Sequence, residues 1–187
     1  LTAGRDIGLP LRVRVLQTPA VNAITLPGGQ IFVLSGLIDE AKGSGELAGV
    51  LAHEIGQVER RHPIEAAFKS IGFAALLSFV VGDVSGGTFI VAGSQALIES
   101  AFSRDAEREA DESALDMLNR TGMSAAPMAD FFDRLTDMEP DADSAFAMIS
   151  THPPSAERAA AIRAASTGDG SAMSAADWQA IRAICEE

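Results

Sequence analysis

The sequence predicts an α+β fold that is mostly helical, with a small β-sheet near the N-terminus. Residues 11–16 and 30–35 have the features of strands, whereas apolar residues recur at helical spacing from Ser44 onwards. The chain has 187 residues, of which 47% are hydrophobic and 21% charged, as in an ordinary globular protein with a buried core. We expect one domain over residues 1–187, in which residues 166–187 form a short C-terminal helical extension.

The charge balance and the cysteine count exclude several classes of protein. The chain carries 14 Lys and Arg residues against 26 Asp and Glu residues, which gives a net charge of −12. Because phosphate binding needs basic residues, we expect no nucleic-acid partner. Cys185 is the only cysteine, which excludes an internal disulfide framework and a Cys-rich zinc site. Since the sequence begins with Leu1 rather than Met, we expect a longer parent chain whose missing N-terminal segment is a candidate membrane anchor.

Two segments near the N-terminus are predicted to be strands. Residues 11–16 (LRVRVL) alternate apolar and charged side chains, which is the period of a half-buried strand. The turn signal Pro27-Gly28-Gly29 precedes the second strand, residues 30–35 (QIFVLS). Because Pro and Gly flank one side of this segment, we expect it to be an edge strand with one open backbone side.

The rest of the chain is predicted to be helical. The first long helix begins at Ser44, a candidate N-cap, and Glu46 suits its first turn. Its apolar stripe consists of Leu47, Val50, Leu51, Ile55 and Val58. Further helices are predicted over residues 64–81, 88–101, 102–119 (with Gly122 as the C′ residue), 127–136 and 155–165, and in a last helix that Ser174 caps and that contains Trp178.

The most apolar run covers residues 71–81, within the apolar stretch of residues 71–101. Its length is about half of the ~20 residues that a helix needs to span a bilayer. We therefore favour buried core for this stretch, with a lid or a membrane-facing plate as the alternative.

The pentapeptide His53-Glu54-Ile55-Gly56-Gln57 lies within the first long helix. Positions 53 and 57 are one turn apart on the same helix face. The metalloprotease pattern His-Glu-x-x-His places two imidazoles on one zinc ion, with the Glu as general base. Here Gln57 stands at the position of the second His. A bare His-Glu-x-x-Gln is a weak signal, and by itself it favours an ordinary helix with polar residues at a boundary.

A second polar cluster lies on a later helix, where Glu107 and Asp111 are spaced i, i+4 on one face. A Glu can be the third protein ligand of a zinc ion, and an Asp can accept the other ring N–H of a ligating His. The simpler interpretation is that acidic residues near a helix start suit the positive end of the helix dipole.

Together these segments resemble the gluzincin metallopeptidases of the HtpX and CAAX-prenyl-protease type, metallopeptidase family 48. The resemblance covers residues 16–163 and rests on four motifs in order: residues 22–29 (NAITLPGG), 51–56 (LAHEIG), 103–111 (SRDAEREAD), and 151–154 (THPP) with Arg158. It implies a zincin-like domain with a long active-site helix, a Zn²⁺ cofactor and metalloendopeptidase activity on protein or peptide substrates. It also points to a bacterial membrane-associated or periplasmic setting.

The resemblance assigns a role to each matching position. It implies that His53 is the first zinc ligand, Glu54 the general base, Glu107 the carboxylate ligand and Asp111 the residue that orients a ligating His. The second His ligand is absent, because Gln57 stands in its place. An amide oxygen is a weakly basic ligand and a poor substitute for imidazole on Zn²⁺, so we expect impaired activity in this chain.

For other polar residues the sequence allows more than one role. His152 in the T-H-P loop is either a further ligand or oxyanion donor, or a plain loop residue. His62 follows His53 by nine residues, so we expect it on the opposite side of the helix, facing solvent or capping the helix end. Arg104 and Arg158 can polarise a carbonyl, but we expect each to form salt bridges.

Three functions follow from these observations. The first is a zinc metalloendopeptidase that binds its substrate in an extended conformation. Such a peptide would add a strand by main-chain hydrogen bonds to the predicted edge strand at Gln30, Ile31, Phe32 and Val33. The second is a non-catalytic peptide-binding or chaperone-like module that keeps the peptidase fold, and the third is a purely structural helical domain.

Overall fold

The computed structural model describes residues 1–69, 102–137, 148, 151–153 and 155–184, and within them the predicted mostly helical α+β fold is confirmed. The strands are β1 (Arg12–Leu16), β2 (Ala23–Leu26) and β3 (Gln30–Leu34). The helices are α1 (Ser35–Glu40), α2 (Ser44–Glu59), α3 (Arg104–Arg120), α4 (Ala126–Thr136), α5 (Ala156–Ala165) and α6 (Ala175–Ala183). A further helical segment covers residues 62–69.

The sheet has the strand order β1-β3-β2, so the prediction that residues 30–35 form an edge strand is wrong. β1 pairs with β3 in parallel, with Arg12 opposite Gln30, and β2 pairs with it antiparallel on the other side. Gln30, Ile31, Phe32 and Val33 therefore have no free backbone edge. The Pro-Gly-Gly signal marks the turn between β2 and β3, where the second and third of its residues have positive φ angles of 86° and 76°.

Helix α2 runs through the centre of the fold and packs on β2, α3 and α4. Leu47, Val50, Ile55 and Val58 are buried, as the apolar stripe predicts. The N-cap differs from the prediction, because it is the residue before Ser44 that has the extended N-cap conformation. No described side chain caps this end of α2, and the Glu46 carboxylate instead ties the first turn to the preceding loop.

Glu46 is the acidic residue of the first turn, as predicted. Its Oε2 accepts a hydrogen bond of 2.9 Å from the Lys42 backbone N–H, and Arg134 of α4 donates to both of its oxygens. The Glu46 carboxylate thus ties the start of α2 both to the preceding loop and to α4.

Helix α3 has well-defined ends. The Ser103 hydroxyl accepts a hydrogen bond from the Ala106 N–H, and Gly122 has a φ of 72° just beyond the C-cap, which confirms its prediction as the C′ residue. The N–H groups of Gly122 and Met123 donate to the carbonyls of residues 119 and 118, the Schellman pattern. Ser155 and Ser174 cap α5 and α6 in the same way as Ser103, which confirms the prediction that Ser174 caps a last helix containing Trp178. The Trp178 side chain is buried.

None of the helices in the described part of the chain combines the length and apolarity that a membrane crossing needs. The predictions for residues 71–101, including the helix over 88–101 and most of the helix over 64–81, lie outside the described residues.

Candidate metal centre

The middle of α2 supplies three buried polar side chains. His53 is 2% exposed, and Glu54 and Gln57 are both 0% exposed. A buried polar side chain is costly unless it is paired, so each of these groups needs partners from other elements.

Helix α3 supplies the first of these partners. Glu107 and Asp111, 1% and 5% exposed, lie on the face of α3 that packs against α2. Asp111 Oδ1 lies 2.8 Å from His53 Nδ1. Contact this close depends on Gly56, because a Cβ atom at this position would lie 2.7 Å from the backbone oxygen of Ala110. The missing side chain lets α2 approach α3 and bring the two predicted clusters together.

The loop before α5 supplies His152, which is 5% exposed. Its Nδ1 lies 3.0 Å from Glu107 Oε1 and 3.3 Å from His53 Nε2, and its Nε2 lies 3.4 Å from Glu54 Oε1. The structure thus places the His152 ring among the candidate ligands and beside Glu54.

One ligand atom from each of His53, Glu107 and His152 lies within 4.8 Å of the others. His53 Nε2 lies 3.3 Å from His152 Nδ1 and 3.6 Å from Glu107 Oε2. Tetrahedral zinc with bonds of about 2.0–2.1 Å holds its ligand atoms about 3.3 Å apart, so this donor set fits a zinc ion. Two His and one Glu also match a known protein donor set of catalytic zinc sites, which keep one further position open.

The Gln57 amide lies beside the same atoms. Its Nε2 donates to Glu107 Oε1 over 3.0 Å and lies 3.1 Å from His53 Nε2. Its Oε1 lies 2.7 Å from His62 Nδ1, on the side away from the candidate ligands. In this arrangement the amide nitrogen, and not the oxygen, faces the metal position.

The position of His62 corrects the prediction that it faces solvent or caps the helix. Helix α2 ends at Glu59, and Arg61 has a positive φ of 62°, which turns the chain before a new helical segment begins at His62. The 100° helical spacing from His53 therefore does not apply. His62 is 6% exposed and contacts both Gln57 and Glu109, whose Oε2 lies 3.3 Å from His62 Nε2.

Thr25, which the sequence did not indicate as a site residue, fixes the Glu54 side chain. The Thr25 hydroxyl of β2 donates to Glu54 Oε2 over 2.5 Å. Glu54 Oε1 is buried and has no hydrogen-bond partner among the described residues, although His152 Nε2 is within ion-pair distance. The alternation of β2, which buries Ala23 and Thr25 on one face, is the signal that would have indicated an inward Thr.

Arg158 of α5 forms salt bridges, as predicted. It donates to both oxygens of Asp111 over 2.7 and 2.9 Å, and to the Pro153 carbonyl over 2.9 Å. Its Nη1 also lies 2.6 Å from Glu107 Oε2, an ion-pair contact whose angle does not suit a hydrogen bond. Arg104 is exposed and has no ion-pair partner within the described ranges.

The charges of the centre shift several pKa values. Burial opposes a charge on His53, but the negative charge of Glu107 and the hydrogen bond to Asp111 outweigh it and raise the pKa of His53 to about 10. Burial likewise opposes ionisation of Glu107, yet the charges of His152 and His53 hold its pKa well below the usual range. For Asp111, hydrogen bonds from Arg158 and His53 overcome burial and lower the pKa. Both carboxylates are therefore ionised at neutral pH, and a cation has to displace the proton on His53 Nε2.

The sequence model of "Peptidase family M48" matches residues 3–166. Metalloprotease LoiP of Escherichia coli is 34% identical over 169 residues, which cover 87% of this chain and 66% of LoiP. Metalloprotease YcaL of the same organism is 32% identical over 83% of this chain and 62% of YcaL. The mitochondrial metalloendopeptidase OMA1 of Arabidopsis thaliana is 31% identical over 94% of this chain and 36% of OMA1. The matched part of the chain thus spans slightly less than two thirds of LoiP and smaller shares of the other two.

Proposed function

The chain belongs to peptidase family M48, and we propose that it is a zinc-dependent metalloendopeptidase whose chemistry takes place at the candidate metal centre. The observation that carries this proposal is the buried convergence of His53, Glu107 and His152 beside Glu54. The names of the similar proteins LoiP, YcaL and OMA1, each a metalloprotease or metalloendopeptidase, support the same activity.

We assign the metal ligands to His53, Glu107 and His152. Zinc in such a site supplies Lewis acidity, which polarises a scissile carbonyl and lowers the pKa of a water molecule. Asp111 accepts a hydrogen bond from the Nδ1–H group of His53, so that the Nε2 lone pair faces the metal position once the proton on Nε2 is displaced. Arg158 holds Asp111 in turn and offsets part of the negative charge of the centre.

Glu54 acts as the general base. The Thr25 hydroxyl fixes one carboxylate oxygen, while Oε1 has no hydrogen bond and remains able to accept a proton. In peptide hydrolysis Glu54 accepts the proton of the attacking water and then passes it to the leaving amine nitrogen as the C–N bond breaks.

We propose that the substrate lies along β2 instead of β3. Among the described residues β2 pairs only with β3, so the other backbone edge of Ala23–Leu26 is open. This strand also carries Thr25, the residue that contacts Glu54, which brings an added peptide strand close to the general base. Main-chain pairing of this kind binds an extended peptide with little preference for its side chains.

Gln57 supports one competing function. Its amide N–H group donates to Glu107 Oε1, a contact that needs no cation, as expected of a non-catalytic peptide-binding or chaperone-like module. Between the two, we favour an impaired peptidase, because Glu54 is retained with an oxygen free to accept a proton, a feature that such a module does not need.

The setting of the protein stays a prediction. We expect a bacterial membrane-associated or periplasmic protein, attached either through an N-terminal segment or through residues 71–101.

The proposed function is tested by the zinc content and the peptidase activity of the purified chain, together with Gln57→His and Glu54→Gln variants. We expect zinc in all three proteins, tighter binding and faster cleavage of an unfolded protein substrate by Gln57→His, and loss of cleavage without loss of zinc in Glu54→Gln. Absence of zinc from both the unchanged chain and Gln57→His would contradict the proposal. Zinc in Gln57→His alone would favour the peptide-binding module for the unchanged chain.

A further inference from the structure

Strand β1 forms the edge of the sheet that lies away from the metal centre. It pairs with β3 on one side, and no described residue pairs with it on the other. The Arg12 N–H donates to the Gly29 carbonyl over 2.9 Å, so the backbone groups of Arg12 point toward β3. Because backbone groups alternate in direction along a strand, the N–H and C=O groups of Val13 and Val15 point outward. These two residues therefore present main-chain donors and acceptors to a further strand.

Both faces of β1 are exposed as well. The alternation of residues 11–16 predicts a half-buried strand, and this prediction is wrong, because every residue of β1 is exposed. Val13 and Val15 are 47% and 39% exposed, yet they lie opposite Ile31 and Val33 of β3, which are buried. The two valines thus continue the apolar face of β3 beyond the buried part of the sheet.

The other face of β1 is basic. It carries Arg12 and Arg14, which are both exposed and form no ion pair within the described ranges of the chain. Two copies of β1 that paired antiparallel about their centres would place Arg14 opposite Arg14, and like charges directly opposite each other are destabilising. A strand with acidic side chains at alternate positions would instead place a carboxylate opposite each guanidinium group.

We propose that β1 is a docking edge for an extended segment of a partner protein in which acidic and apolar side chains alternate. The main chain of this segment pairs with the outward backbone groups of Val13 and Val15. Its carboxylates face Arg12 and Arg14, and its apolar side chains lie beside the two valines. Since β1 and β2 are opposite edges of the sheet, this partner leaves the open edge of β2 accessible. The proposal is independent of the proposed function, because no metal ion takes part in it.

The test is the affinity of the full chain for a fluorescent peptide of about eight alternating Glu and Val residues. It is measured by fluorescence anisotropy at about 0.15 M salt, and mass spectrometry verifies that the peptide stays intact. The double variant Arg12→Glu/Arg14→Glu is expected to bind this peptide at least about tenfold more weakly. It is also expected to bind a peptide of alternating Lys and Val more tightly than the unchanged chain does.

The matched control is the double variant Arg108→Glu/Arg120→Glu. It makes the same change of charge at two exposed positions of α3 and should bind both peptides as the unchanged chain does. Thermal unfolding of each variant verifies that the fold is kept.

A second pair of variants isolates the main-chain contact. Val15→Pro removes an N–H group that points away from β3, and proline is tolerated at such a position of an edge strand. We expect it to weaken binding of the Glu-Val peptide about tenfold, because a main-chain hydrogen bond is lost. Val15→Ala keeps the N–H group and should bind more tightly than Val15→Pro.

The docking edge is overturned if the Glu-Val peptide does not bind, or binds equally to the unchanged chain and to Arg12→Glu/Arg14→Glu. A dimer that Val15→Pro abolishes, seen by analytical ultracentrifugation in place of peptide binding, would assign the edge to a second copy of the chain. Binding to vesicles of anionic lipid in place of the peptide would assign it to a membrane surface. Either of these results also overturns the proposal.

Discussion

Replacing Gly56 with alanine tests whether the close approach of α2 and α3 builds the metal centre. Gly56 lies between His53 and Gln57 on the sequence and faces Ala110, which lies between Glu107 and Asp111. Any separation of the helices at this point therefore moves the candidate ligands of α2 away from those of α3.

The size of the effect follows from the contact distances. A Cβ atom at position 56 would lie 2.7 Å from the Ala110 oxygen, whereas ordinary contacts begin at 3.4 Å, so the helices must separate by about 0.7 Å. Overpacking of this kind costs about 1–3 kcal/mol, and the better helix propensity of alanine returns about 1 kcal/mol. We expect a net loss of about 1 kcal/mol in the free energy of unfolding. The effect on zinc is larger, because a metal site tolerates deviations of only about 0.2 Å, and we expect the affinity to fall at least about tenfold.

The assay combines urea unfolding of the metal-free protein with competition for zinc by a chelating dye. Ser44→Ala, a change to alanine in the same helix outside the contact with α3, is the control and should leave the zinc affinity unchanged. If Gly56→Ala binds zinc as tightly as the unchanged chain, the separation of α2 from α3 does not set the ligand geometry and the reasoning is refuted.

Two further predictions follow from contacts around the metal centre, and a third follows from the salt bridge between Arg5 and Glu59 at the end of α2. Thr25→Val is expected to lower kcat about tenfold at unchanged zinc content, because Glu54 loses the hydrogen bond that fixes it, and a parallel loss of zinc would contradict this role. Arg158→Met is expected to cost about 3–5 kcal/mol in urea unfolding, since it leaves the Asp111 carboxylate buried without its charged partner, and a cost below about 1 kcal/mol would refute the estimate. The hydrogen bond from Arg5 lowers the pKa of Glu59 in the folded protein. The pair therefore stabilises the fold fully when the pH is above the pKa of Glu59 in the unfolded chain, and this stabilisation is lost as the pH falls through the lowered pKa of the folded protein. Arg5→Gln should therefore destabilise the protein more at about pH 7 than at about pH 3, and an equal effect at both would count against this link.

The parts of the site that lie on one helix could be predicted from the sequence. Helical spacing alone puts His53 and Gln57, and likewise Glu107 and Asp111, on shared faces. The resemblance to a peptidase family then indicated that the two faces belong together, and in the structure they do.

Contacts between different helices and strands could not be predicted from the sequence in the same way. The edge strand was misassigned because the Pro-Gly-Gly signal is local, whereas the pairing of β1 with β3 joins segments separated by another strand. His62 was misplaced because the positive φ of Arg61 interrupts the helix, and no residue type at that position requires it. The hydrogen bond from Thr25 to Glu54 depends on how α2 packs on β2, which periodicity does not reveal.

The separation of the site residues along the chain has a consequence for biosynthesis. His53 and His152 are 99 residues apart, and the salt bridge that secures Asp111 comes from Arg158, 47 residues further on. During translation the histidine-glutamate motif therefore leaves the ribosome long before its partners exist, and no metal centre can form around it. A nascent chain therefore cannot assemble the candidate metal centre before the residues up to Arg158 have been made, and the metal position stays incomplete during the synthesis of the segment between Asp111 and Arg158.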